Sequence, residues 1–139
     1  MNNINEAVQL FECGYVCSQA VFAAFSTDLE FSKEDALRIG ACFGSGMRKG
    51  EVCGACTGAL MALGLKYGDD KAKSNEACEM FLDEFEHENG SYICRDLLGC
   101  DISTEEGVSH ARENNLFREI CPKMVESAAS IAEKLICDD

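Results

Sequence analysis

The chain has 139 residues, of which 47% are hydrophobic and 27% charged, with 25 acidic side chains against 12 Lys and Arg and a net charge of −13. This balance suits one cysteine-rich domain over residues 1–139 with a real core, and it excludes disorder. The acidic excess excludes nucleic acid and anionic lipid as partners, since both demand clustered bases.

The longest apolar run, ALMALGL from Ala59 to Leu65, is far short of the roughly 20 residues that span a bilayer, so no membrane insertion is expected. The opening MNNINEAVQLF lacks the basic stretch of a signal peptide. The expectation is a cytoplasmic protein. Ten cysteines are the abnormal count. In a reducing compartment so many thiols point to metal binding or redox chemistry, with about half serving as small buried hydrophobes.

In chain order, the pattern is helical almost throughout, with a single proline and no sustained two-residue alternation. INEAVQLFECG places Ile4, Val8 and Phe11 or Leu10 on one face and stops at Gly14. CSQAVFAAFSTDL carries Ala20, Val21, Ala24 and Phe25 inward. SKEDALRIGACF opens on Ser32 with Asp35 at capping-box spacing and sets Ala36, Ile39 and Phe43 at helical intervals. A glycine-rich loop, GSGMRKGEV, leads to a helix from about Cys53 to Tyr67. KAKSNEACEMFLDEFEHENG is a long helix with Ala77, Met80, Phe81 and Phe85 inward and Asn89–Gly90 as its stop. SYICRDLLGCDIS reads as a short helix, and Ser103 with Glu106 forms a capping box for TEEGVSHARENN. Pro122 opens a last helix with Met124 or Val125, Ala128, Ile131 or Ala132 and Leu135 inward. The predicted fold is an all-α, irregular bundle of six to seven short helices.

Four cysteines fall at the edges of these elements: Cys17, Cys53, Cys94 and Cys121. A helix N-terminus carries partial positive charge and unpaired N–H groups that stabilise a thiolate, which would favour Cys17, Cys53 and Cys121. Cys42, Cys78 and Cys137 fall inside or late in helices and read as core or incidental residues. In GEVCGACTGALMALGLKYG, Cys53 and Cys56 share a helix face and would suit a dithiol, half of a metal grip, or simple packing. No strand precedes them, unlike a thioredoxin motif, and no second CxxC completes a zinc ribbon. Gly54 and Gly58 lie one turn apart, where close approach of another helix or a bulky cofactor would offset their cost. The GSGMRKG loop lacks the Gly-Lys-Ser/Thr ending of a phosphate-binding loop, though its N–H groups would suit a sulfur acceptor. His87 and His110 stand in polar surroundings and read as solvated.

A cysteine heading CSQAV, then CGAxxG in GEVCGACTGALMALGLKYG, then CRDLLGCD, then CPKMV is a sequence that resembles the C_GCAxxG_C_C family, whose name carries redox activity as a proposal. The resemblance covers about Asn5 to Ile131. Its four cysteines fall on Cys17, Cys53, Cys94 and Cys121. Related domains look similar to an iron–sulfur segment found beside haem domains, which implies an iron–sulfur cluster on these four residues, with Gly54 and Gly58 making room for it. The chain departs from the pattern at Cys13, Cys56 and Cys100, which would be resolving thiols or alternative ligands.

Two other readings stand beside the cluster. One is a metal-free thiol–disulfide protein with Cys53 as the reactive thiolate and Cys56 resolving it. The other is a structural zinc on the same four cysteines. The chain would thus be an oxidoreductase or a non-enzymatic electron carrier. A redox partner with a basic docking face would suit its acidic surface, and the apolar glycine face would also suit a homodimer.

Overall fold

The computed structural model describes residues 3–137. Eight α-helices run in order: α1 Asn3–Glu12, α2 Cys17–Ser26, α3 Lys33–Ile39, α4 Gly54–Tyr67, α5 Lys71–Asn89, α6 Cys94–Leu98, α7 Glu105–Glu113 and α8 Leu116–Cys137. The all-α expectation holds, with two short helices filling the stretch between α5 and α8. Among the described residues the extended pairing is one isolated antiparallel bridge, Val52 with Ile93.

α2 is apolar almost all round, and every residue but Gln19 is buried, the pattern of a helix enclosed by others. It packs against α1, α3, α4 and α8. Small side chains let the backbones approach. A Cβ on Gly58 would stand 2.6 Å from the Ser18 carbonyl oxygen and 3.1 Å from its Cα, so α4 lies directly on the α2 main chain. The Ser18 hydroxyl, fully buried, donates to the Gly40 carbonyl at 2.7 Å. Tyr67 ties α4 to α8 by donating to the Leu135 carbonyl at 2.6 Å, and Asn89 ties α5 to α8 through the Ser127 hydroxyl at 2.9 Å.

The apolar interior divides in two. The main core includes Val21, Phe25, Cys53, Cys56, Phe81, Phe85 and Val125. A smaller one gathers Cys94, Leu98, Ile102 and Ala111 under α6, α7 and the start of α8. Cys121 packs against both, which puts the thiols at their seam.

Several sequence expectations need correction. α8 begins at Leu116, so Pro122 lies inside it and Cys121 is no helix cap. Asn115, held at φ 57°, turns the chain between α7 and α8 early enough for LFREI to join the last helix. The cap of α7 is Thr104, whose hydroxyl accepts from Gly107 N–H at 3.0 Å, while Ser103 turns instead to Asp101. Ile39 and Met80 are each 50% exposed and do not enter the core. Cys42 and Cys137 are exposed and Cys78 half-buried, so of the two readings, core or incidental, all three take the second. Ser32 caps α3 as expected, accepting from Asp35 N–H at 3.1 Å, and Gly90 stops α5 in the left-handed conformation.

Candidate functional site

Cys53 and Cys94 are set side by side by the main chain. Around the Val52–Ile93 bridge, Cys53 N–H donates to the Tyr92 carbonyl at 2.8 Å and Cys94 N–H to the Glu51 carbonyl at 2.6 Å. Each cysteine then opens a helix: Cys53 is the N-cap of α4 and Cys94 the first residue of α6. Cys17 is the first residue of α2. A Cβ on Gly54 would stand 3.2 Å from the Cys17 Cβ and 3.0 Å from the Phe43 carbonyl oxygen, so that glycine admits the start of α2 beside the start of α4. Cys121 comes from the second turn of α8 and hydrogen bonds with the Cys17 thiol.

The fold therefore brings Cys17, Cys53, Cys94 and Cys121 together from four helices. Three are buried and Cys121 is half-buried. Their acid–base behaviour reflects this closeness. The Cys17 thiol is held well above its ordinary value by its hydrogen bond to Cys121, then by burial, then by charge on Cys121, Cys53 and Cys94. Burial, followed by Cys53, Cys121 and Cys100, pushes Cys94 up to about 12. Cys53 goes the other way: a hydrogen bond from Cys56 and the N–H groups of Ala55 and Cys56 lower it against the opposing push of burial. Both N–H groups belong to the first turn of α4, where the Cys56 N–H also donates to the Cys53 carbonyl at 2.9 Å. Cys56, wholly enclosed, is pushed far up by burial and by donating to Cys53.

Two neighbours sharpen the picture. Cys100, left outside the set of four by sequence, joins it through Cys94, and its thiol also lies 3.7 Å from the Gly107 carbonyl. Cys13 lies apart and exposed at the end of α1. Gly58 is accounted for by the α2–α4 contact alone. Both histidines are exposed, as their polar surroundings implied.

The loop over Cys94 is strained. Ser45, Gly46, Met47 and Arg48 all have positive φ, between 54° and 65°, a short left-handed turn that costs non-glycine residues roughly 1–2 kcal/mol each. At Gly46 glycine is required, since a Cβ would stand 2.4 Å from Glu51 N and 2.9 Å from the Cys94 Cβ. The turn is held by Glu51 N–H donating to the Gly46 carbonyl at 3.0 Å and by Arg95 donating to the Gly50 carbonyl at 3.2 Å.

Among the described residues no group of three or more His, Cys, Asp or Glu side chains is arranged to hold a metal ion. The four thiols are neighbours, yet they do not form a ready single-ion site. Among the described residues no helix is long and apolar enough to cross a membrane.

No curated protein and no solved structure matches the chain. A family model does, over residues 15–135, under the description "Putative redox-active protein (C_GCAxxG_C_C)". Where that name reads Gly-Cys-Ala, the chain reads Cys53-Gly54-Ala55, with the cysteine as helix cap and the glycine against α2. The match takes in all four gathered cysteines, and the chain belongs to the C_GCAxxG_C_C family.

Proposed function

We propose that this protein is an electron carrier whose Cys17, Cys53, Cys94 and Cys121 hold an iron–sulfur cluster. The observation that carries this reading is the meeting of four thiols from four helices at the seam between two cores. Four thiolates are the donor set that [2Fe–2S] and [4Fe–4S] clusters take.

Such a cluster supplies one-electron chemistry, and the chain's own groups would set its environment. The Cys56 thiol and the backbone at the start of α4 favour the Cys53 thiolate, and groups acting on a ligand sulfur in this way would raise a cluster's potential. The acidic surface suits a redox partner with a basic docking face. All ten cysteines are free, the state a reducing compartment maintains.

A specific observation favours a second reading. The Cys53–Cys56 hydrogen bond and the lowered Cys53 thiol are what a metal-free dithiol needs. There the Cys53 thiolate would attack a substrate disulfide and release one thiolate. Cys56, after losing its proton, would then displace the second, leaving a Cys53–Cys56 disulfide and a substrate reduced by two electrons. Its complete burial is the obstacle, which is why the cluster reading comes first.

Anaerobic purification separates the two. The cluster reading expects stoichiometric iron and acid-labile sulfide with visible colour, lost on Cys17→Ser, Cys53→Ser, Cys94→Ser or Cys121→Ser and kept on Cys42→Ser or Cys137→Ser. Colourless, metal-free protein that forms a Cys53–Cys56 disulfide on mild oxidation overturns it in favour of the dithiol, and stoichiometric zinc overturns both.

A further inference from the structure

Beside the smaller core lies a cavity of about 240 Å³, lined by Ser45, Arg48, Ile102, Val108, Arg112 and Phe117. Three of these, Ile102, Val108 and Phe117, belong to the same apolar cluster as Cys94, Cys100 and Cys121. The other three are polar and come from two elements: Ser45 and Arg48 from the left-handed turn, Arg112 from the last turn of α7.

Both arginines are exposed and, like several other bases of the chain, have no ion-pair partner among the described residues. Acidic side chains outnumber Lys and Arg by 25 to 12, and Lys33, Arg95 and Lys134 each have a carboxylate partner. Arg48 and Arg112 make no ion pair or side-chain hydrogen bond among the described residues. Arg112 has Val108, Ser109, Asn115 and Leu116 at helical-neighbour spacing, so its own face offers no acid. Two unpaired guanidiniums and a hydroxyl facing one apolar-floored cavity are complementary to a negative head group on a hydrophobic body.

We propose that this cavity binds a small organic anion, its carboxylate or phosphate between Arg48 and Arg112 and its apolar body against Ile102, Val108 and Phe117. The volume falls below the roughly 300–1,000 Å³ of sites for drug-sized molecules, which limits the ligand to a compact one. The site stands independently of the metal or dithiol chemistry. Its ligand would touch the apolar cluster to which Cys94, Cys100 and Cys121 also belong.

Calorimetric titration and amide chemical shifts of the full chain test this with benzoate, phenyl phosphate, inorganic phosphate and neutral benzyl alcohol. The expected result is saturable binding of benzoate or phenyl phosphate, with shifts centred on Val108 and Arg112 and with the better of the two naming the head group. Arg48→Gln and Arg112→Gln should each weaken it by about tenfold or more, while Arg118→Gln leaves it unchanged. Arg112→Lys, which keeps charge but loses the planar fork, should fall between. Circular dichroism confirms that each variant keeps its helices. The proposal is overturned by no saturable binding of either organic anion. It is equally overturned if inorganic phosphate or benzyl alcohol binds as well as they do, or if Arg118→Gln weakens binding as much as Arg112→Gln.

Discussion

Cys53 and Cys56 carry the same side chain three residues apart, and the fold gives them opposite character. One caps α4 and receives hydrogen bonds; the other is enclosed by apolar neighbours and donates. The position of Cys53 was legible because a helix start can be read from local pattern. The burial of Cys56 was not, because it depends on which helices close over it. Asp101 shows another local effect. Its carboxyl is lowered chiefly by the Ser103 hydroxyl and then by the Ser103 N–H. A carboxyl with a folded value below the ordinary unfolded value of about 3.9 contributes stability that is present above that value and lost as pH falls through the folded one. Ser103→Ala should move the Asp101 midpoint back up toward the ordinary range, followed by NMR of the carboxyl carbon. An unchanged midpoint would mean the hydroxyl is not the cause.

At the scale of elements, the glycines of α4 differ in what surrounds them. Gly58 faces the Ser18 main chain, whereas Gly64 has open space around its Cα. Gly58→Ala should therefore destabilise the fold by about 1–3 kcal/mol, because backbone cannot step aside for a methyl group. Gly64→Ala should stabilise it by roughly 0.5–1 kcal/mol through helix propensity. Urea unfolding of both variants checks the pair, and equal effects would refute the assigned α2–α4 contact. The sequence showed that the glycine face needed a close neighbour, and Ser18 of α2 is that neighbour. It misplaced the start of α8 because proline favours a first turn, yet nothing in LFREI forbids helix, and tertiary packing carried the helix back to Leu116. The same kind of shift, by one residue, moved the α7 cap from Ser103 to Thr104, two hydroxyls that sequence alone cannot rank.

At the scale of the whole molecule, the four thiols join what the apolar clusters divide. Cys17 and Cys53 belong to the main core, Cys94 to the smaller one and Cys121 to both. Sequence motifs picked out these four, since each heads a recognisable block. Their meeting is a long-range property that no local pattern carries, and the addition of Cys100 follows from it. A cluster bound at the seam would tie α2, α4, α6 and α8 together, so iron loading should be stabilising. Removing iron from anaerobically loaded protein with a chelator should lower the melting midpoint by on the order of 10 °C. Identical midpoints for loaded and stripped protein would count against a group that spans both cores.

The Val52–Ile93 bridge also sets what kinds of change the chain tolerates. Its hydrogen bonds run between main-chain groups of Glu51, Cys53, Tyr92 and Cys94, so they are indifferent to which side chains stand at Val52 and Ile93, proline aside. Substitution there should leave the two cysteines in register. Inserting one residue between the bridge and either cysteine would instead turn that thiol to the opposite face, because side chains alternate along extended backbone. Around this site the spacing of residues is under tighter constraint than their identity.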